Sequence, residues 1–96
     1  MANINILTLT KECLGIISTA TLKDNEINLL IEAAKADLDR VGITYDNDNP
    51  LHQTAVVQFV KANFGMTDVE TKEKCLHIYN LLVSSLQVST GSNASA

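Results

Sequence analysis

Polar and apolar positions along this chain repeat with a helical period, and punctuating residues divide the repeat into four segments. The second segment is the clearest. Asp24 stands as an N-cap, and Ile27, Leu30, Ile31, Ala34, Leu38 and Val41 follow at helical spacing. On a helical wheel these six fall within roughly 100°, the width of one core-facing stripe. Gly42 then supplies a left-handed stop. Leu29 lies off the stripe, on the face of Glu32 and Arg40, as a surface residue or a contact point.

A polar loop from Ile43 to Asn49 leads to Asn49-Pro50, a cap followed by proline at the first helical position. The third helix, Pro50 to Phe64, is apolar almost all round, through Leu51, Ala55, Val56, Val57, Phe59, Val60, Ala62 and Phe64. Only Thr54, Gln58 and Lys61 form a polar edge. That pattern predicts the central, most buried helix, ended by Gly65.

Thr67 to Glu70 reads as a capping box opening the fourth helix, Thr67 capping and Glu70 reaching back. This helix is predicted to end near Leu86 or Gln87. Cys75, Leu76, Ile78, Tyr79, Leu82, Val83 and Leu86 spread over roughly 160° of its wheel, more than one core contact uses. Leu81 falls outside even that arc. The first helix is short, roughly Leu9 to Ile17, with Thr8 or Thr10 as cap, Gly15 weakening its end and Ser18 to Thr21 as connector. Ser89 to Ala96 has too little apolar content to fold alone and reads as a flexible polar tail. The fold class is therefore all-α: a small bundle of about four helices, the third central.

Ninety-six residues make one domain. With no Trp and 4% aromatic residues, its core is built mainly from Leu, Ile, Val and Ala. A formal charge of −4 argues against the basic patch of a non-specific nucleic-acid binder but does not exclude a passive relation to DNA, because an acidic surface repels phosphate and can act as a non-stick wall. After Lys74 no Asp, Glu, Lys or Arg occurs. Met1 to Asn5 has no signal-peptide character, and the apolar stretch from Cys75 to Val88 is too interrupted to span a bilayer. Cys13 and Cys75 lie far apart and read as reduced thiols.

Catalytic and metal chemistry lacks residues. His52 and His77 have no ligand partner at helical spacing, so no metal is expected. His77 falls on the polar face of its helix, and His52 stands where a neutral imidazole can satisfy free amides. Cys75 belongs to an apolar face, where a thiol is blunted, and His77 two residues on points elsewhere. Asp46-Asn47-Asp48-Asn49 begins like a calcium loop, but Pro50, Leu51 and Val57 stand where ligands and the turn glycine belong. The glycines are single, so nothing cradles a phosphate, and no cofactor is expected. A mostly apolar third helix with one basic residue cannot read a major groove. The chain is expected to assemble, not to catalyse.

The runs DNEINLLIEAAKADLDRVGI, NPLHQTAVVQFVKANFG and KCLHIYNLLVSSL, with Tyr79 and Leu82 three apart, resemble the head–tail connector (adaptor) proteins of tailed bacteriophages. The resemblance is one of pattern and order and covers roughly Leu7 to Leu86. It implies a helical connector domain over residues 1–88 and a virion protein made in the host bacterial cytoplasm. It further implies a ring, commonly of twelve copies and possible as a monomer before assembly. The implied partners are the portal protein and a head-closure (stopper) or tail protein, with double-stranded DNA passing through the channel and no membrane. Leu29, Leu76, Ile78, Tyr79, Leu81, Leu82, Val83 and Leu86 are the candidate subunit interface. Tyr45, Asp46, Asn47 and Asp48 are the candidate portal or stopper contacts. A rival reading of another class is a small regulatory or adaptor module that dimerises through the fourth helix.

Overall fold

The computed structural model of the protein describes residues 5–17, 19–65 and 67–95, with 88–95 described by backbone alone. Four helices follow one another: α1 (Ile6–Cys13), α2 (Asp24–Arg40), α3 (Pro50–Asn63) and α4 (Val69–Ser95). Among the described residues there is no strand. Met1 to Ile4, Ser18 of the predicted connector and Ala96 of the predicted tail lie outside them.

The third helix is central, as its apolar circumference predicts: α3 packs against α1, α2 and α4. Ala55, Val56, Val57, Val60 and Ala62 are buried along it, and Phe64 closes its end. The α2 stripe faces it. Ile27, Ile31, Ala34 and Leu38 are buried, while Leu30 and Val41 are half-buried at the margin. From α4, Tyr79 and Leu86 complete the core cluster. The Phe59 ring meets the Tyr79 ring edge-on, centroids 5.3 Å apart.

Three polar contacts fix the order of the helices. Glu26 Oε2 accepts from the Gly65 amide at 2.9 Å, Tyr79 Oη donates to Asp37 Oδ2 at 2.6 Å, and Gln87 Nε2 donates to the Val41 carbonyl at 3.2 Å. Positions advancing along α2 thus meet positions advancing along α4. The two helices run the same way, and α3 returns between them.

Both helices that end in a left-handed glycine do so by one arrangement. The Gly42 amide (φ +90°) donates to the Asp39 carbonyl, and the Ile43 amide donates to the Leu38 carbonyl at 2.8 Å. Gly15 (φ +77°) and Ile16 repeat this on Glu12 and Lys11. Ile43, predicted in the polar loop, is consequently drawn into the core beside Leu38.

Several predicted boundaries move. α1 starts earlier and stops earlier than Leu9 to Ile17, because the Asn5 side chain accepts from the Leu7 and Thr8 amides and is a better cap than threonine. Thr8 and Thr10 are therefore inside the helix, Thr10 donating its hydroxyl to the Ile6 carbonyl. Asp24 is the first helical residue, not the cap of α2; the cap position is Lys23, without a side-chain bond. Gly65 is not a left-handed stop, since α3 ends when Phe64 turns extended. Asp68, not Thr67, caps α4 by accepting from the Thr71 amide, and Thr67 donates its hydroxyl back to the Lys61 carbonyl. The helical backbone of α4 continues past Gln87 to Ser95, through residues of modest helix propensity with no proline to break it.

An ion pair that the hydropathy pattern conceals ties α1 to the start of α2. Lys11 is 3% exposed, and its Nζ lies 2.8 Å from Asp24 Oδ1. A lysine in an eight-residue helix reads as solvated until its partner is known; here the carboxylate also sits at the positive end of α2.

Candidate assembly surfaces

The face of α4 divides into an inner and an outer part. Cys75, Tyr79 and Leu86 are buried in the chain's own core, and Leu82 and Val83 pack against it half-buried. Leu76 is half-buried. Ile78 and Leu81 point outward, 40% and 57% exposed, and Leu29 on α2 is 70% exposed. Of the eight predicted interface residues, these three offer free apolar surface, because the crossing of α4 over α3 and α2 consumes the others. His77 is exposed and Cys75 is a buried free thiol, where the wheel puts them; Cys13 is exposed at the end of α1.

Behind that face lies a charged hydrogen-bond chain. Asp37 accepts from Tyr79 through one oxygen and from Arg40 Nη2 (2.8 Å) and Nε (3.1 Å) through the other. The Tyr79 hydroxyl and then the Arg40 guanidinium hold the Asp37 carboxyl below the usual carboxylate range, against a partial desolvation that raises it. Burial, reinforced by the hydrogen bond to Asp37, pushes the Tyr79 phenol far above its ordinary value.

The loop that follows the same end of α2 is built, not slack. Tyr45 donates to Asn47 Oδ1 at 2.9 Å, the Asp48 amide to Asp46 Oδ1 at 2.9 Å, and Gln53 Nε2 to the Asn47 carbonyl at 2.6 Å. His52 Nδ1 accepts from the Asp46 amide at 2.9 Å, so this imidazole satisfies a loop amide instead of one in the first turn of its own helix. Lys35 Nζ lies 5.0 Å above the Tyr45 ring. Burial and then the Asp46 charge raise the Tyr45 phenol. Asp46 and Asp48 are left exposed at the tip. Among the described residues no group of three His, Cys, Asp or Glu side chains could hold a metal ion.

At the opposite end of the molecule is a surface that periodicity does not show. Leu14, Ile16 and Ala20 of the α1–α2 connector, Leu22 and Lys23 before α2, and Lys61 of α3 with Phe64 just after it line an open groove of about 430 Å³, closed along one side by Thr67, Asp68 and Thr71. Leu22 on its lip is 96% exposed, Ile17 73% and Val69, at the start of α4, 71%. A leucine amid TATLKD was the one sequence signal available. A smaller hollow of about 200 Å³ between α1 and α3 includes Leu9, Cys13, Val57 and Gln58 in its lining.

Exposed apolar side chains clustered in this way mark contact with other proteins more often than chemistry. No helix among the described residues is long and apolar enough to cross a membrane. Compared with known proteins, residues 6–92 match the family model described as phage connector protein. No curated protein and no solved structure matches the chain.

Proposed function

The chain belongs to the phage connector protein family, and on that premise we propose that it forms a ring between the portal of the DNA-filled head and the stopper or tail proteins. Family membership over nearly the whole chain carries this reading. It supports a structural part of the phage particle that acts by assembly.

The geometry suits the role at three places. Leu29 on α2 and Ile78 and Leu81 on α4 leave exposed apolar surface, and the groove with Leu22 on its lip leaves more at one end. A lone soluble chain gains nothing from such exposure, whereas a subunit buries it against neighbours. Tyr45 and Asn47, whose hydrogen bond helps hold the loop of Asp46 and Asp48 in shape, are the part of that loop offered to the portal or the stopper. An acidic subunit repels phosphate, so a channel built from copies of it passes double-stranded DNA without gripping it. Twelve copies is the number the family resemblance implies. The uncharged end of the chain from Ser89 onward, helical in backbone to Ser95, extends beyond the core and is offered as a docking segment.

Packaged, portal-bearing heads made without this protein test the reading. Added protein should bind them saturably and appear as a ring at the portal vertex by electron microscopy. Removing residues 89–96 should keep the helical fold and weaken attachment. No binding of the full chain, together with a stable dimer in solution, would overturn the connector reading in favour of a regulatory module.

A further inference from the structure

We propose that the groove at the α1–α2 connector receives the acidic loop end of a second copy of this chain, so that copies join head to tail through the two ends of α3. The inference rests on the ring reading and assigns the contact between neighbouring copies.

The two ends of α3 are unlike in shape and charge. At its start, Leu51 is 49% exposed, and the loop that leads into it carries the exposed Asp46 and Asp48. From Val41 to Val60 the sequence contains no Lys or Arg. At its finish, Phe64 floors an apolar groove whose lining includes Lys61 and Lys23. The ion pairs among the described residues are Lys11–Asp24, Lys23–Glu26, Lys35–Glu32 and Arg40–Asp37, and Lys61 is in none of them. Lys23 reaches Glu26 only at 4.0 Å. The one carboxylate in the groove lining, Asp68, is already engaged as the cap of α4. An exposed leucine that follows two exposed carboxylates in the chain therefore faces, on the next copy, an apolar hollow lined by Lys61, which is in none of those ion pairs, and by the weakly held Lys23.

Placement decides the topology. A 14-residue helix separates knob and groove by about 20 Å. One copy cannot fill its own groove, and each copy offers one knob and one groove. Such a contact is heterologous: it propagates from copy to copy and ends only by closing into a ring. A single contact buries few side chains, which keeps free copies apart until a portal gathers them.

Full-length protein on portal-bearing heads tests the contact. In a Cys13→Ser background, Leu22→Cys together with Leu51→Cys should give, after oxidation on heads, a ladder of cross-linked species up to the ring number. Neither single variant should do so. Lys61→Glu should lower head occupancy roughly tenfold or more, and adding Asp48→Lys should restore it. Rings visible on heads without any ladder, with Lys61→Glu attaching like the wild type, would overturn the head-to-tail contact and leave the ring reading standing. Wild-type protein that attaches to no heads overturns the ring reading and this contact with it.

Discussion

Tyr79 donates a 2.6 Å hydrogen bond to Asp37 across 42 residues of chain, joining the middle of α4 to the outer side of α2. The same carboxylate holds Arg40, so one aspartate orders two helices and a cation.

Removing that hydroxyl should be measurable. Tyr79→Phe keeps the ring packed on Phe59 and deletes a hydrogen bond to a charged acceptor. With Asp37 partly exposed, the loss in urea-unfolding free energy should be about 1–2 kcal/mol. The pH dependence has a definite sign. Because Asp37 is depressed in the fold, its contribution is present above the ordinary aspartate range and disappears as pH falls through its lowered value. The wild type should therefore lose stability in acid faster than Tyr79→Phe, which lacks the strongest cause of the depression. Parallel acid limbs would contradict this.

The alkaline side offers an independent check. Both tyrosines are raised, Tyr79 more than Tyr45, and with no Trp in the chain their near-ultraviolet tyrosinate signal is unobscured. A raised phenol stabilises the fold below its ordinary pKa, and that contribution is lost as pH rises through the shifted value. Tyr45 should titrate above the free-tyrosine range, and Tyr79 should ionise only as the protein unfolds. Two tyrosines titrating together near pH 10 in folded protein would refute it.

The buried pair of Lys11 and Asp24 should respond unequally. Lys11→Met replaces an ammonium by an apolar side chain of similar length, while Asp24 stays at a helix start with water in reach. Asp24→Asn instead removes the anion from beside a buried ammonium, a change that costs on the order of 3 kcal/mol. Thermal melts should rank wild type, Lys11→Met and Asp24→Asn in falling order. The reverse order of the two variants would mean that the pair does not hold α1 in place.

Backbone conformation gives a further contrast. Gly42 has φ +90° with open space where a Cβ would stand, so Gly42→Ala suffers strain alone, about 1–2 kcal/mol. At Gly65 the backbone is not left-handed, but a Cβ would meet Glu26 Oε2 at 3.2 Å. Gly65→Ala should therefore be relieved by Glu26→Ala, which removes the obstacle, whereas Gly42→Ala should not. A double-mutant cycle on urea melts measures both.

Much of this architecture was legible in the chain. The stripe from Ile27 to Val41 and the all-round apolar Pro50 to Phe64 reappear as a packed face and a central helix, because period and burial are two expressions of one geometry. Helix ends were less legible, since they turn on single side-chain bonds. Asn5 and Asp68 each outcompeted a neighbouring threonine for amides that either residue type can accept from. Lys11 was opaque for a different reason: its partner Asp24 belongs to another helix, and hydropathy carries no information about pairing. The groove escaped as well, because Leu14, Ile16 and Phe64 come from elements whose crossing no one-dimensional period describes.

The position of α3 in the order of synthesis has a consequence for the cell. In a chain leaving the ribosome N-terminus first, the Ile27 to Leu38 stripe emerges about two dozen residues ahead of the helix that covers it. α1 can reach α2 in that interval, but the surface both require arrives only with Val56 and Val60. Until then the nascent product is an unshielded greasy helix in a crowded compartment, and its yield depends on how quickly the third helix follows.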